Sequence, residues 1–105
     1  MNLTVSVNRH GDVTTVAPIG DIDLATAPPL EQALADAAEG EAVGRIEVDL
    51  SGVEFLDSSG IASLLRGYRL AEAAGLGYRI FGASGMVRQI LELTGVWDHL
   101  HGSDT

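Results

Sequence analysis

The chain has no cysteine and no lysine. Without cysteine, neither a disulfide framework nor a thiolate metal site is available. Without lysine, the basic residues are six arginines (Arg9, Arg45, Arg66, Arg69, Arg79 and Arg88), set against fifteen acids for a formal charge of −9. Nucleic-acid binding requires a surface that neutralises phosphates, and a field of this sign opposes it. An anionic membrane surface is disfavoured for the same reason, whereas a protein partner with a basic face stays open. Long apolar runs are also missing; those present are far too short to cross a bilayer. The opening stretch "MNLTVSVNRHGD" has neither the basic head nor the apolar block of a secretory signal. The expectation is a soluble cytoplasmic domain.

What is present is enough for one hydrophobic core: 105 residues with 46% hydrophobic content. Leu3, Val5 and Val7 alternate with polar residues as in a half-buried strand, "RHGD" supplies a turn around Gly11, and "VTTVAPIG" reads as a second strand. Together they predict an antiparallel hairpin with a four-residue connection. Pro18 has no amide to donate, so its nitrogen is expected to face an edge or a bulge. The period then changes. Thr26 is placed to cap a helix, Pro28 and Pro29 suit its first turn, Leu30, Ala33, Leu34 and Ala37 share one face, and Gly40 ends it.

"RIEVDL" predicts the next strand, with Ile46, Val48 and Leu50 inward and Glu47 and Asp49 outward; two acids imply a partly open sheet face. After "DSSG", Ile61, Leu64, Leu65, Tyr68 and Ala71 make a helical stripe through about Ala74. "YRIFG" is a short strand, and Ser84 is placed to cap a last helix that carries Val87, Ile90 and Leu91 and stops at Gly95. Trp97 is expected to fold back on the core. Residues 1–100 form the domain and 101–105 a polar tail. The order β-β-α-β-α-β-α defines a small α/β domain, a mixed sheet whose strand–helix–strand units pair in parallel.

The chemistry-bearing stretch is "VEFLDSSGIASLL", Val53 to Leu65, where apolar residues give way to an acid, two serines and a glycine. On the plainest reading a serine caps the helix and Gly60 relieves crowding. A hydrolase elbow, G-x-S-x-G, needs a glycine where Leu56 and Asp57 stand. It also needs a base, and His10 sits in the hairpin turn while His99 and His101 lie near the end. A phospho-aspartate receiver could use Asp57 with Asp21 and Asp23 as a metal pocket. It would also need a lysine, which the chain lacks, and a longer chain. The remaining reading is phosphorylation of a serine by another protein. A phosphate on Ser59 would face free amides at the positive end of a helix beginning at Gly60, beside Asp57 and near Asp21 and Asp23. It would change the local charge by about −1.5 to −2 without unfolding the chain.

Three blocks carry a family resemblance: "GDIDLATAPPLEQAL" (Gly20–Leu34), "IEVDLSGVEFLDSSGIASLL" (Ile46–Leu65) and "LELTGVWDHL" (Leu91–Leu100). In order and spacing the chain resembles STAS-domain anti-sigma-factor antagonists. That resemblance implies phosphorylation at Ser59, the second serine of the pair, with Asp57, Ser58 and Gly60 as its neighbours. It implies a partner that is an anti-sigma factor and an ATP-dependent serine kinase, captured by the unphosphorylated chain and released on phosphorylation, with a serine phosphatase resetting the switch. No catalytic residue, cofactor or metal is expected in the chain itself. The expected contact surface is Asp21, Asp23 and Thr26 in one loop, plus Ala62, Ser63, Arg66 and Gly67, which avoid the apolar stripe of the following helix. STAS domains also serve as scaffolds or transport-complex subunits, in which Ser58 and Ser59 would act only as caps.

Overall fold

A computed structural model describes residues 2–40 and 43–101. Most of the expected 101–105 tail therefore lies outside the described residues. Leu3–His10 (β1) and Val13–Ile22 (β2) form the antiparallel hairpin. His10 pairs with Val13, so the connection is the two residues Gly11 and Asp12, shorter than the four expected. The chain continues through Ala27–Glu39 (α1), Arg45–Asp49 (β3), Val53–Leu56 (β4), Ser58–Ala73 (α2), Gly77–Phe81 (β5), Gly85–Leu93 (α3) and Val96–Leu100 (α4).

β2 organises the sheet. β1 lies along one side of it, while β3 and then β4 run parallel to its other side, against Val13–Val16 and Gly20–Ile22 respectively. β5 pairs in parallel with β3. β4 is one strand more than the sequence predicts. It is four residues long, too short to show a period, and it follows β3 after a turn in which Asp49 Oδ1 accepts from the Ser51 amide at 2.9 Å. Gly20 donates its amide to Gly52 O, on the side away from β1. By the two-residue alternation of a strand, the Pro18 nitrogen faces that side too, in the gap where β2 passes from β3 to β4. No ladder bond is lost there.

One sheet face packs under the helices. Val16, Ile46, Val48 and Ile80 are fully buried, with Leu30 and Leu34 from α1 and Leu64 from α2. The other face carries the outward acids: Glu47 accepts from Arg79 Nε at 3.1 Å and lies 3.8 Å from Arg45, and the Arg79 guanidinium stacks over Phe81. Trp97 does fold back, but within a five-residue helix, α4, that the sequence does not announce; the Arg88 guanidinium lies 3.9 Å from its ring centroid.

α2 is rotated from its predicted orientation. Gly60, Ser63, Leu64, Gly67 and Ala71 are buried, while Ile61, Leu65 and Tyr68 are only half-buried. The cause is close approach. A Cβ at Gly67 would stand 2.8 Å from the Tyr78 hydroxyl and 2.9 Å from Leu34 Cδ1, so the smallest residues face inward. Tyr78 donates to the Leu64 carbonyl at 2.8 Å, pinning helix to strand.

Gly67→Ala is expected to lower stability by about 1 kcal/mol in urea unfolding, because overpacking outweighs the gain in helix propensity. An equally stable variant would show that the contact yields. Burial also pushes the Tyr78 phenol well above its ordinary range. The unfolded phenol ionises near pH 10 while the native one keeps its proton, so the native state binds more protons and stability falls as pH rises above that point. Tyr78→Phe should remove this part of the alkaline slope.

Candidate functional site at the turn between β4 and α2

Ile22 pairs with Leu56, so β2 and β4 end side by side, and the Asp57 amide donates to Ile22 O at 3.3 Å. The turns that follow, one leading to α1 and one to α2, are thereby brought together. α2 starts at Ser58, two residues before the predicted Gly60. Asp57 is its N-cap: Oδ1 accepts from Ser59 N at 2.9 Å and from Gly60 N at 3.2 Å. Neither serine caps anything. The amides expected to be free for an anion are already held by this carboxylate, since an N-cap oxygen satisfies donors with no partner inside the helix. Ser58 is exposed and Ser59 half-buried, and among the described residues the Ser59 hydroxyl makes no hydrogen bond. Gly60 is buried: a Cβ there would lie 2.9 Å from Leu56 Cδ1 and 3.0 Å from Ile22 Cγ2. Its bareness lets the helix start against the strand ends.

In the neighbouring loop, Asp23 Oδ1 accepts from Ala25 N and Thr26 N, each at 3.0 Å. Thr26 Oγ1 donates to Asp21 O at 2.8 Å and accepts from Asp23 N at 2.9 Å. Thr26 occupies the N-cap position of α1, yet its hydroxyl braces the loop and makes no cap bond; the residue is 8% exposed. Asp21 and Asp23 are half-buried, and Leu24 and Ala25 are the exposed residues of the loop.

The predicted solvent face of α2 is half right. Ala62 and Arg66 are exposed. Ser63 is completely buried and Gly67 is buried, so neither offers a surface to a partner. Ser63 Oγ lies 2.7 Å from Glu31 Oε2 and 3.1 Å from the Ser59 carbonyl, and Glu31 Oε1 lies 3.8 Å from Arg66 Nε. Glu31 is the residue that the sequence does not flag, since nothing in the spacing couples position 31 to position 63. No histidine stands by as a base for Ser59: His10 pairs with Val13, at the opposite end of β2 from the Ile22–Leu56 pair. His99 packs on Tyr68, whose position in α2 is about 13 Å along the axis at 1.5 Å per residue, and His101 stacks on Trp97. Among the described residues, Asp21, Asp23 and Asp57 form no metal-holding cluster, and no helix is long and apolar enough to cross a membrane.

A family model described as "Mlab, STAS domain" matches residues 5–101. An anti-sigma-B factor antagonist from Staphylococcus epidermidis is 27% identical over 101 residues, covering 96% of this chain and 93% of that protein. The crystal structure of an anti-sigma factor antagonist from Mycobacterium paratuberculosis is 31% identical and superposes with a TM-score of 0.84, covering 94% of this chain and 83% of that one. The anti-sigma factor antagonist SpoIIAA in its unphosphorylated form shares the fold at 19% identity, with a TM-score of 0.78 over 92% of this chain and 85% of that one. The chain belongs to the STAS-domain family, among relatives named as anti-sigma factor antagonists.

Asp57→Ala is expected to cost about 1 kcal/mol through loss of the cap. Ser58→Ala and Ser59→Ala should each stay within about 0.5 kcal/mol of the parent, because their hydroxyls cap nothing. Urea unfolding of the three variants compares them directly, and equal losses in all three would refute this division of labour.

Proposed function

We propose that the chain is an anti-sigma-factor antagonist, a cytoplasmic binding module of residues 1–100 without catalysis of its own. Unphosphorylated, it captures an anti-sigma factor that is also an ATP-dependent serine kinase, and so frees a sigma factor. The kinase transfers a phosphoryl group to Ser59: the Ser59 Oγ–P bond forms, the bond from the γ-phosphorus to ADP breaks, and the hydroxyl proton passes to a base of the kinase. The phosphorylated chain is released, and a serine phosphatase hydrolyses the ester and resets it.

The observation that carries this reading is the Ser59 hydroxyl, half-exposed at a helix start whose capping is done by Asp57. A hydroxyl with no structural task is available for modification at little loss of stability. A phosphate here adds about −1.5 to −2 charges beside the Asp57 carboxylate, whose oxygen already occupies two amides. The helix end tolerates the second anion only in part, so the new charge stays directed at whatever covers the turn. A partner that buries the bare hydroxyl would have to desolvate a dianion, at several kcal/mol. The scaffold alternative supposes that the serines are caps, and with Asp57 as cap it has no observation in its favour.

Incubation with the host's anti-sigma-factor kinase and ATP should add one phosphate by intact mass, and Ser59→Ala should accept none. Ser59→Glu should weaken binding on the order of a hundredfold. Phosphate transfer that persists in Ser59→Ala, or equal binding by Ser59→Ala and Ser59→Glu, would refute the switch.

A further inference from the structure

The geometry points to Leu24 as the apolar anchor of the partner interface, a side chain that inserts into an apolar pocket of the anti-sigma factor whose rim carries arginine or lysine. This rests on the function proposed above and adds the chemistry of the surface that the switch controls. Leu24 is 79% exposed, at the tip of the loop between β2 and α1. Exposed single leucines are ordinary, but this one is held in place. Its loop is pinned by the bonds from Ala25 N and Thr26 N to Asp23 Oδ1, and by the Thr26 hydroxyl between Asp21 O and Asp23 N. A backbone ordered in advance loses little freedom on docking, which leaves more of the contact energy for affinity.

Position supplies the second argument. The Ile22–Leu56 pairing sets the Leu24 loop beside the turn that holds Ser59, so a partner seated on one reaches the other. Charge supplies the third. Asp23 and Asp57 each use Oδ1 inwardly and keep the second oxygen for a visitor. Among the described residues no arginine of this chain pairs with Asp21, Asp23 or Asp57. An exposed apolar side chain next to Asp23 in a loop that starts beside Asp57, with no arginine of the chain on either carboxylate and a net charge of −9, is complementary to an apolar pocket with a cationic rim. Phosphate on Ser59 would then sit beside the anchor, where it blocks seating.

The experiment uses the host's anti-sigma factors, purified one at a time, titrated against the unphosphorylated chain. Leu24→Ala should weaken binding about thirtyfold, as truncation of an interface hot spot does, while Leu24→Met stays within a few-fold of the parent. Leu93→Ala is the control: Leu93 is 80% exposed but ends α3, so its loss should leave binding unchanged. The association rate of the parent should fall as salt is raised. Binding by Leu24→Ala within about threefold of the parent, while Ser59→Glu still releases the partner, overturns the anchor and leaves the switch standing. A fall in Tm for Leu24→Ala overturns it as well, by making the side chain part of the fold. If the unmodified chain binds none of these factors, the proposed function fails and the anchor with it.

Discussion

Two amides at the start of α2 are held by one carboxylate, that of Asp57, and the character of the site follows from this bond. A helix start leaves several donors unsatisfied, and some group has to take them. Because an aspartate does so, the two serines behind it are relieved of structural duty. Because the aspartate is itself anionic, the positive end of the helix is already partly neutralised. A phosphate on a hydroxyl here would thus cost the fold little and would disrupt anything bound over it.

The fold delivers that turn to the right neighbour through β2. Its ten residues accept β3 along the first half and β4 along the second, and the two parallel strands follow each other in line. β2 and β4 therefore finish together, and the loops beginning at Asp23 and Asp57 become adjacent although they are far apart in the chain. Gly60 and Gly67 then allow α2 to lie tight against the strands and α1. The result is a hydrogen-bonded rim in which Asp23 and Thr26 act as internal braces and Leu24 is exposed.

Much of this could be read from residue order. The alternation of Ile46, Val48 and Leu50 with Glu47 and Asp49 marked the buried and open sheet faces, and the structure keeps both assignments. The stripe of Leu30, Leu34 and Ala37 marked α1. The hairpin was legible but its turn length was not, since strand pairing runs on until sterics stop it. β4 and α4 were too short for a period to emerge. The orientation of α2 was misjudged because hydropathy ranks Ile61 and Tyr68 above Ser63 and Gly67, whereas tight packing against Tyr78 and Leu34 favours whatever is smallest. Ser63 was expected on the surface and is sealed against Glu31.

The sequence alone determined the α/β class, the acidic character of the chain, and the DSSG block, because composition, period and local motifs are properties of neighbouring residues. Only the tertiary structure decided which group caps α2, which residues of its surface are exposed, and that the turns after Ile22 and Leu56 begin side by side. Those are settled by strand register and by how closely two helices approach, and both depend on residues that meet in space without being near in the chain.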